Sequence, residues 1–295
     1  MTDTRYDVQG QIAQLWIYPV KSCAGIAVQQ AQLSRHGLQW DRHWMVVDGQ
    51  GEFLTQRTHP RMALIRPEIG NEHLRLHFPG LDALQLPLTA QGVKRRVRVW
   101  KDVVDAWDLG EWAQPARQWL SAALQTDAQL VRFDAAQPRQ ASERWVGQDE
   151  APSHFADGYP LLVLSQAAVD ELNERLEQLA EPAVDARRFR PNIVISGLEA
   201  HDEDRVELLH LLESAGVSLR PCKPCTRCPI PDIDPDSAVL GTAVGQVIRG
   251  YRQDPRVDDA ITFGMNALVL GLPPGRAATV TLQLGQSVAG NLRFD

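Results

Sequence analysis

Cysteine is scarce in this chain, with four in 295 residues. Three of them crowd between Cys222 and Cys228. That bunching argues against a disulfide framework and for a reducing compartment. Long apolar runs are missing as well. None approaches the ~18 residues of a spanning helix, so no membrane partner is expected. The opening Met1–Asp7 is polar and no apolar segment follows it, so no secretory leader is visible. A basic excess is also lacking. The net charge of −7 argues against a general nucleic-acid binder, which needs a basic face. What remains is a globular, cytoplasmic protein of ordinary composition, 44% hydrophobic and 23% charged. Its length suits one large domain or two medium ones.

The first hundred residues read as strands. Gln11–Val20 alternates around Ile12, Leu15, Ile17 and Val20. Trp44–Val47 runs into Asp48-Gly49-Gln50-Gly51, a turn signal, and then Glu52–Thr55, which predicts a hairpin. His73–Phe78, Ala83–Leu88, Val93–Trp100 and Val103–Trp107 continue the pattern toward a barrel or sandwich. Glu111–Leu124 changes to a helical period, and Leu130–Phe133 returns to a strand. The polar Ala135–Ser153 reads as a loop or an interdomain crossing. Beyond it, the strand Leu161–Leu164 precedes Ser165, a helix cap for Gln166–Leu179. Ile193–Ile195 and Val217–Arg220 read as strands, Thr242–Gln253 as a helix, and Ala267–Leu270 and Ala278–Leu284 as closing strands.

Arg220–Pro231 carries three cysteines three residues apart, four prolines and three cations. Three readings stand side by side. The spacing resembles an iron–sulfur run or a zinc site, although a fourth ligand would have to come from Cys23 or a histidine. The cysteines could be small core residues in a tight turn. Or one thiolate could bind a soft metal centre whose other ligands come from a cofactor, with Lys223 and Arg227 favouring the charged thiol.

Lys223-Pro224-Cys225-Thr226-Arg227-Cys228, followed by Ile233-Asp234-Pro235-Asp236, resembles the signature of the MOSC domain. Four other stretches agree in order. They are Tyr18–Gly25, Asp41–Asp48, Arg188–Gly197 and Phe263-Gly264-Met265-Asn266. The resemblance covers about residues 12 to 290. It implies a β-rich α+β protein: an N-terminal β-barrel domain over residues 9–133, then an α/β MOSC domain over 134–290 built on a mainly antiparallel barrel. The relatives with the nearest function are the amidoxime-reducing components and similar bacterial reductases of N-hydroxylated bases.

The resemblance further implies a molybdenum cofactor of the molybdopterin type, with Cys228 as metal ligand and catalytic residue. Lys21, Ser22, Arg42, Ser165, Arg190, Asn192 and Arg227 would bind the cofactor. The substrate would be a small N-hydroxylated compound, a hydroxylamino base or an amidoxime. Electrons would come from a separate donor protein of ferredoxin or flavin reductase type, since no four-cysteine iron–sulfur spacing follows Phe263-Gly264. The alternative is a non-catalytic carrier of the cofactor, or of sulfur, on Cys228. Sulfurase activity is not expected, because no pyridoxal-dependent half precedes the barrel. Where many relatives carry threonines, this chain has Ile230-Pro231-Asp232-Ile233. Each residue also has a plainer reading. Lys21 could be a solvated strand end, Arg42 could pair with Asp41 or Asp48, and Arg190 could join a surface run with Arg187 and Arg188. Asn192 could be a turn residue, Ser165 only a cap, and Cys23 a core residue.

Overall fold

The computed structural model describes residues 6–137, 139–214, 216–273 and 278–293. Its centre is a closed ring of seven strands: β1 (Val8–Ile17), β2 (Leu161–Ser165), β3 (Ile193–Ser196), β4 (Val206–Leu211), β5 (Ser218–Thr226), β6 (Ala260–Leu270) and β7 (Ser287–Leu292). The order around the ring is β2-β3-β1-β7-β4-β5-β6, and β6 pairs back onto β2. A ring with an odd number of strands cannot alternate direction throughout, so at least one neighbouring pair must be parallel. Here that pair is β2 and β3. A parallel pair needs a crossover, which the helix Gln166–Glu177 supplies. The expected β-rich α+β architecture is present.

The ring interior is filled by Ile12, Leu15, Leu161, Val163, Ile193, Ile195, Leu209, Leu219, Ala267 and Val288, among others. β1 contributes to it from the start of the chain, lying between β3 and β7. The register runs from Gln11 opposite Ser287 to Leu15 opposite Ile193. Joining β3 and β7 in this way removes two edges that would otherwise be left unpaired.

The rest of the N-terminal region forms smaller sheets. Trp44–Val47, Gln129–Phe133, Asp102–Trp107 and Lys94–Val99 make one, and Arg66–Ile69, His73–Phe78 and Leu81–Pro87 make another. The helix Ala113–Leu124 packs Ala116, Leu120 and Ala123 into the core beneath them. The hairpin predicted after Trp44–Val47 is reduced to a single antiparallel bridge between Val47 and Phe53. The segment read as a loop over 135–153 contains a two-residue strand pair, Arg139–Gln140 with Pro152–Ser153, and the short helix Glu143–Val146. The helix predicted over 242–253 is shorter, Ala243–Arg249.

The strand expected to stop at Arg220 continues to Thr226, through both prolines. It survives because beyond Leu219 it pairs only with β6. Proline lacks an N–H and is tolerated where one side of a strand has no partner or the ladder is irregular. The register slips between Pro221 and Lys223 and again between Pro224 and Thr226. These bulges redirect the side chains that follow.

Candidate functional site

The strand registers bring several sequence-distant segments to one rim of the ring. The end of β1 lies beside the start of β3, because Leu15 faces Ile193. The start of β2 lies beside Asn266 of β6, which in turn faces Lys223 of β5. The tips of the N-terminal sheet overhang that rim. The resulting cleft is lined by Lys21, Ser22, Arg42, Arg190, Asn192, Arg227 and Cys228, seven of the eight residues expected there. Ser165 is not brought in. It is fully buried at the end of β2, where its hydroxyl accepts the backbone N–H of His201 at 3.1 Å. Its side chain makes no capping bond either.

Each lining side chain is aimed by its backbone. The Pro19–Lys21 stretch runs along Trp44, with Lys21 N–H donating to the Trp44 carbonyl at 2.8 Å and Trp44 N–H to that of Pro19 at 3.0 Å. Lys21 is thereby buried, and its ammonium donates to the Phe155 carbonyl at 2.9 Å and pairs with Asp157. Burial pushes the Lys21 pKa down while the Asp157 charge opposes that shift. Ser22, Arg42, Trp100 and Arg190 all have left-handed backbone, with φ of 65°, 50°, 58° and 59°. Such angles are costly without glycine, and here they collect around one cleft. Arg42 is held at that angle by its N–H to the Tyr18 carbonyl, 2.8 Å, and by Phe155 N–H to its own carbonyl, 3.0 Å.

The cations form a layered group. Arg42 and Arg190 each lie over the Tyr18 ring, at 4.4 and 4.3 Å from its centroid. Arg42 pairs with Asp41 at 2.6 Å, the plainer role read for it, and also reaches Asn192 Oδ1 at 3.3 Å. Arg190 donates to the Cys23 carbonyl at 2.7 Å, and burial together with Arg42 lowers its pKa. Asn192 Oδ1 accepts the Leu162 N–H at 3.1 Å and its amide donates to the Trp16 carbonyl at 3.2 Å. Arg227 spans the Phe189 and Phe263 carbonyls, at 3.0 Å each, so its guanidinium clamps two chain segments beside Cys228. The Phe189 and Phe263 rings stack behind it with centroids 3.9 Å apart.

The three clustered cysteines diverge. Cys228 and Cys225 line the cleft. Cys222 instead donates to the Asn266 carbonyl and packs near Ala141 and Val146. Among the described residues no group of three histidine, cysteine, aspartate or glutamate side chains converges as a metal site. A shared cluster on all three cysteines therefore has no geometric basis. Burial pushes the Cys225 thiol up, against the opposing charge of Arg227, and pushes Cys222 to about 11. Cys23, fully buried among Val20, Trp44 and Met62, is pushed to about 12, as suits the core cysteine it was read to be.

Sequence reasoning missed Phe53, Thr55, Arg57, Trp100, Asp157, Tyr159 and Arg188, which also line the cleft. Nothing in their local pattern marks them. Trp100 is the tip of the Lys94–Val99 and Asp102–Trp107 hairpin, and Asp157 is the one exposed residue of the largely apolar bend His154–Pro160. Among the described residues, six cations line the cleft: Lys21, Arg42, Arg57, Arg188, Arg190 and Arg227. Asp157 is the single carboxylate among the described lining residues. Arg42 and Arg188 are paired with Asp41 and Asp234 just outside the lining, at 2.6 and 2.9 Å, and Lys21 with Asp157, so the positive excess open to an anion rests on Arg57, Arg190 and Arg227.

Known proteins resemble this chain over most of its length. Residues 9–127 match the MOSC N-terminal beta barrel domain, and residues 150–287 match the MOSC domain. The chain is 35% identical over 239 residues to mitochondrial amidoxime-reducing component 1 of Mus musculus, covering 78% of this chain and 67% of the relative. This chain belongs to the MOSC family. Within that family it is similar to the human mitochondrial amidoxime-reducing component 1, at 34% identity over 83% of this chain and 73% of the relative. The human mitochondrial amidoxime reducing component 2 is 31% identical over 78% of this chain and 69% of the relative. Both MOSC segments contribute to the cleft, Lys21 and Arg42 from the first and Arg190, Asn192 and Cys228 from the second. No helix among the described residues is long and apolar enough to cross a membrane.

Proposed function

We propose that this MOSC protein is a molybdenum-cofactor-dependent reductase of N-hydroxylated compounds, supplied with electrons by a separate donor protein. The observation that carries the reading is the meeting of the Cys228 thiol with six cations in one cleft. The donor set fits a phosphate-bearing pterin with a thiophilic metal. Lys21, Arg42 and Arg190 offer charge, Ser22 and Asn192 offer hydrogen bonds, and Cys228 offers one soft ligand. Arg57 Nε is buried at the same cleft with no partner among the described residues, a donor available to an acceptor.

When bound, the cofactor would supply two-electron redox chemistry, so that an N–OH group, two electrons and two protons yield N–H and water. The chain's own part is to hold, orient and shield. Arg227 fixes the Cys228 turn through two backbone carbonyls. Trp100 and Tyr159 line the cleft. The names of the amidoxime-reducing relatives support the substrate class.

The test is elemental analysis of protein from a host that makes the cofactor, followed by turnover of an amidoxime with an artificial reductant. About one molybdenum per chain with turnover is expected. Molybdenum without turnover would leave a carrier role on Cys228. Zinc, or iron with acid-labile sulfide, would overturn the reading.

A further inference from the structure

Asp157 stands out because it opposes everything around it. Its carboxylate is the single negative group among the described residues lining a cleft of six cations. It also makes two bonds at once. It pairs with the Lys21 ammonium below, and it accepts the Trp100 indole N–H above at 3.0 Å. The two partners come from different elements, Lys21 from the turn after β1 and Trp100 from the tip of the Lys94–Val99 hairpin. Asp157 thus ties the floor of the cleft to its overhanging lip.

The exposures of the pair are unequal. The Lys21 side chain is 6% exposed and that of Asp157 is 71% exposed. Lys21 is fixed by its surroundings, between the Phe53 and Trp100 rings at 5.6 and 5.9 Å and against the Phe155 carbonyl. The backbone beside Asp157 is tied by Arg139 to the Ala156 carbonyl, so it is the exposed Asp157 side chain that is free to rotate away. The residue lies in a run of bends over residues 154–160, followed by Gly158, whose Cβ position has open space around it. Trp100 is likewise poised rather than buried, 36% exposed on left-handed backbone with Arg57 over its ring at 4.3 Å.

We propose that Asp157 is an internal competitor for the anion cradle: a ligand anion reaches Lys21 only by displacing the Asp157 carboxylate, and that exchange releases the Trp100 lip. A buried ammonium that loses its partner is costly, so the exchange must be direct, one anion for another. The Asp157 charge therefore subtracts from the affinity for any phosphate-bearing ligand and makes loading selective for groups strong enough to win. The proposal rests on the reading of the cleft as a cofactor site only for the identity of the natural anion. The competition itself follows from the contacts.

The experiment uses the full chain, made in a host without the pterin pathway and titrated calorimetrically with inorganic pyrophosphate. Asp157→Asn keeps the shape and an acceptor for the indole but removes the charge. It should bind pyrophosphate about tenfold tighter than the parent, or more. Asp157→Glu, which keeps the charge, should not gain. Lys21→Met should lose binding both in the parent and when combined with Asp157→Asn. Pyrophosphate should change the tryptophan emission of the parent, and Trp100→Phe should abolish that change. Equal or weaker binding by Asp157→Asn, binding insensitive to Lys21→Met, or no binding by any form would each overturn the proposal. The molybdenum assay judges the functional reading separately, since pyrophosphate titration needs neither metal nor turnover.

Discussion

Glu203 gives the sharpest test of the electrostatics behind the fold. It is fully buried on the turn Asp202–Asp204 beside Ser165, whose hydrogen bonding only partly opposes the cost of burying its carboxylate. Burial, then the neighbouring charge of Asp204, raises its pKa from 4.5 to about 7. The folded protein therefore binds a proton at Glu203 across a range where the unfolded chain has released it. By linkage, the associated stability is full below about 4.5 and is lost as pH rises through about 7. The rise corresponds to about 3 kcal/mol between those limits. Glu203→Gln removes the titration while keeping the shape. Its own cost or gain is an offset that does not vary with pH. Thermal unfolding of both forms from pH 5 to 8.5 should show the parent losing ground to Glu203→Gln by on the order of 5 °C toward the alkaline end. A constant difference across that range would refute the argument, and a difference that grew toward acid would reverse its sign.

Three further outcomes are expected. Cys228→Ala should lose molybdenum and turnover while Cys222→Ala keeps both, because Cys228 lines the cleft and Cys222 turns away from it; equal loss, measured by metal content, would count against Cys228 as the single ligand. Asn192→Ala should cost about 2–3 kcal/mol in denaturant unfolding, since it strips a partner from both the Leu162 N–H and the Trp16 carbonyl. Gly264→Ala should cost at least about 2 kcal/mol in the same assay, because φ is +76° there and the added Cβ would lie 2.2 Å from Leu164 Cδ2 and 2.8 Å from the Val163 carbonyl.

Much of the cleft was legible in the chain through its resemblance to the MOSC signature, whose motifs point to Lys21, Ser22, Arg42, Arg190, Asn192, Arg227 and Cys228. The run from Lys223 to Cys228 has no simple packing explanation, and Arg190-Pro191-Asn192 combines a cation, a stiff joint and an amide. These positions come together at the cleft. Ser165 was misplaced for a physical reason. A serine before a helix looks the same in sequence whether its hydroxyl faces a cap, a ligand or, as here, the next turn of chain at His201. Asp157, Arg57 and Trp100 carried no signal, since an Asp-Gly bend and a tryptophan at a hairpin tip are common surface features. Only the register of distant strands makes them neighbours of Lys21.

What the sequence determined by itself was local: the alternation that makes strands, the 3.6 period of Gln166–Glu177, and the residue types able to hold an anion and a soft metal. Side-chain pattern and backbone stiffness set these within a few residues. The tertiary structure alone decided that Val8–Ile17 completes a ring with strands from the far half of the chain. It alone carried the Ser218–Thr226 strand through two prolines and turned Cys222 away from Cys228. Strand pairing is made by backbone N–H and C=O groups common to every residue, so the choice of neighbour is written in no short segment. It emerges from closing all seven strands at once, and with it comes the meeting of Asp157 with Lys21 and the arginines that line the cleft.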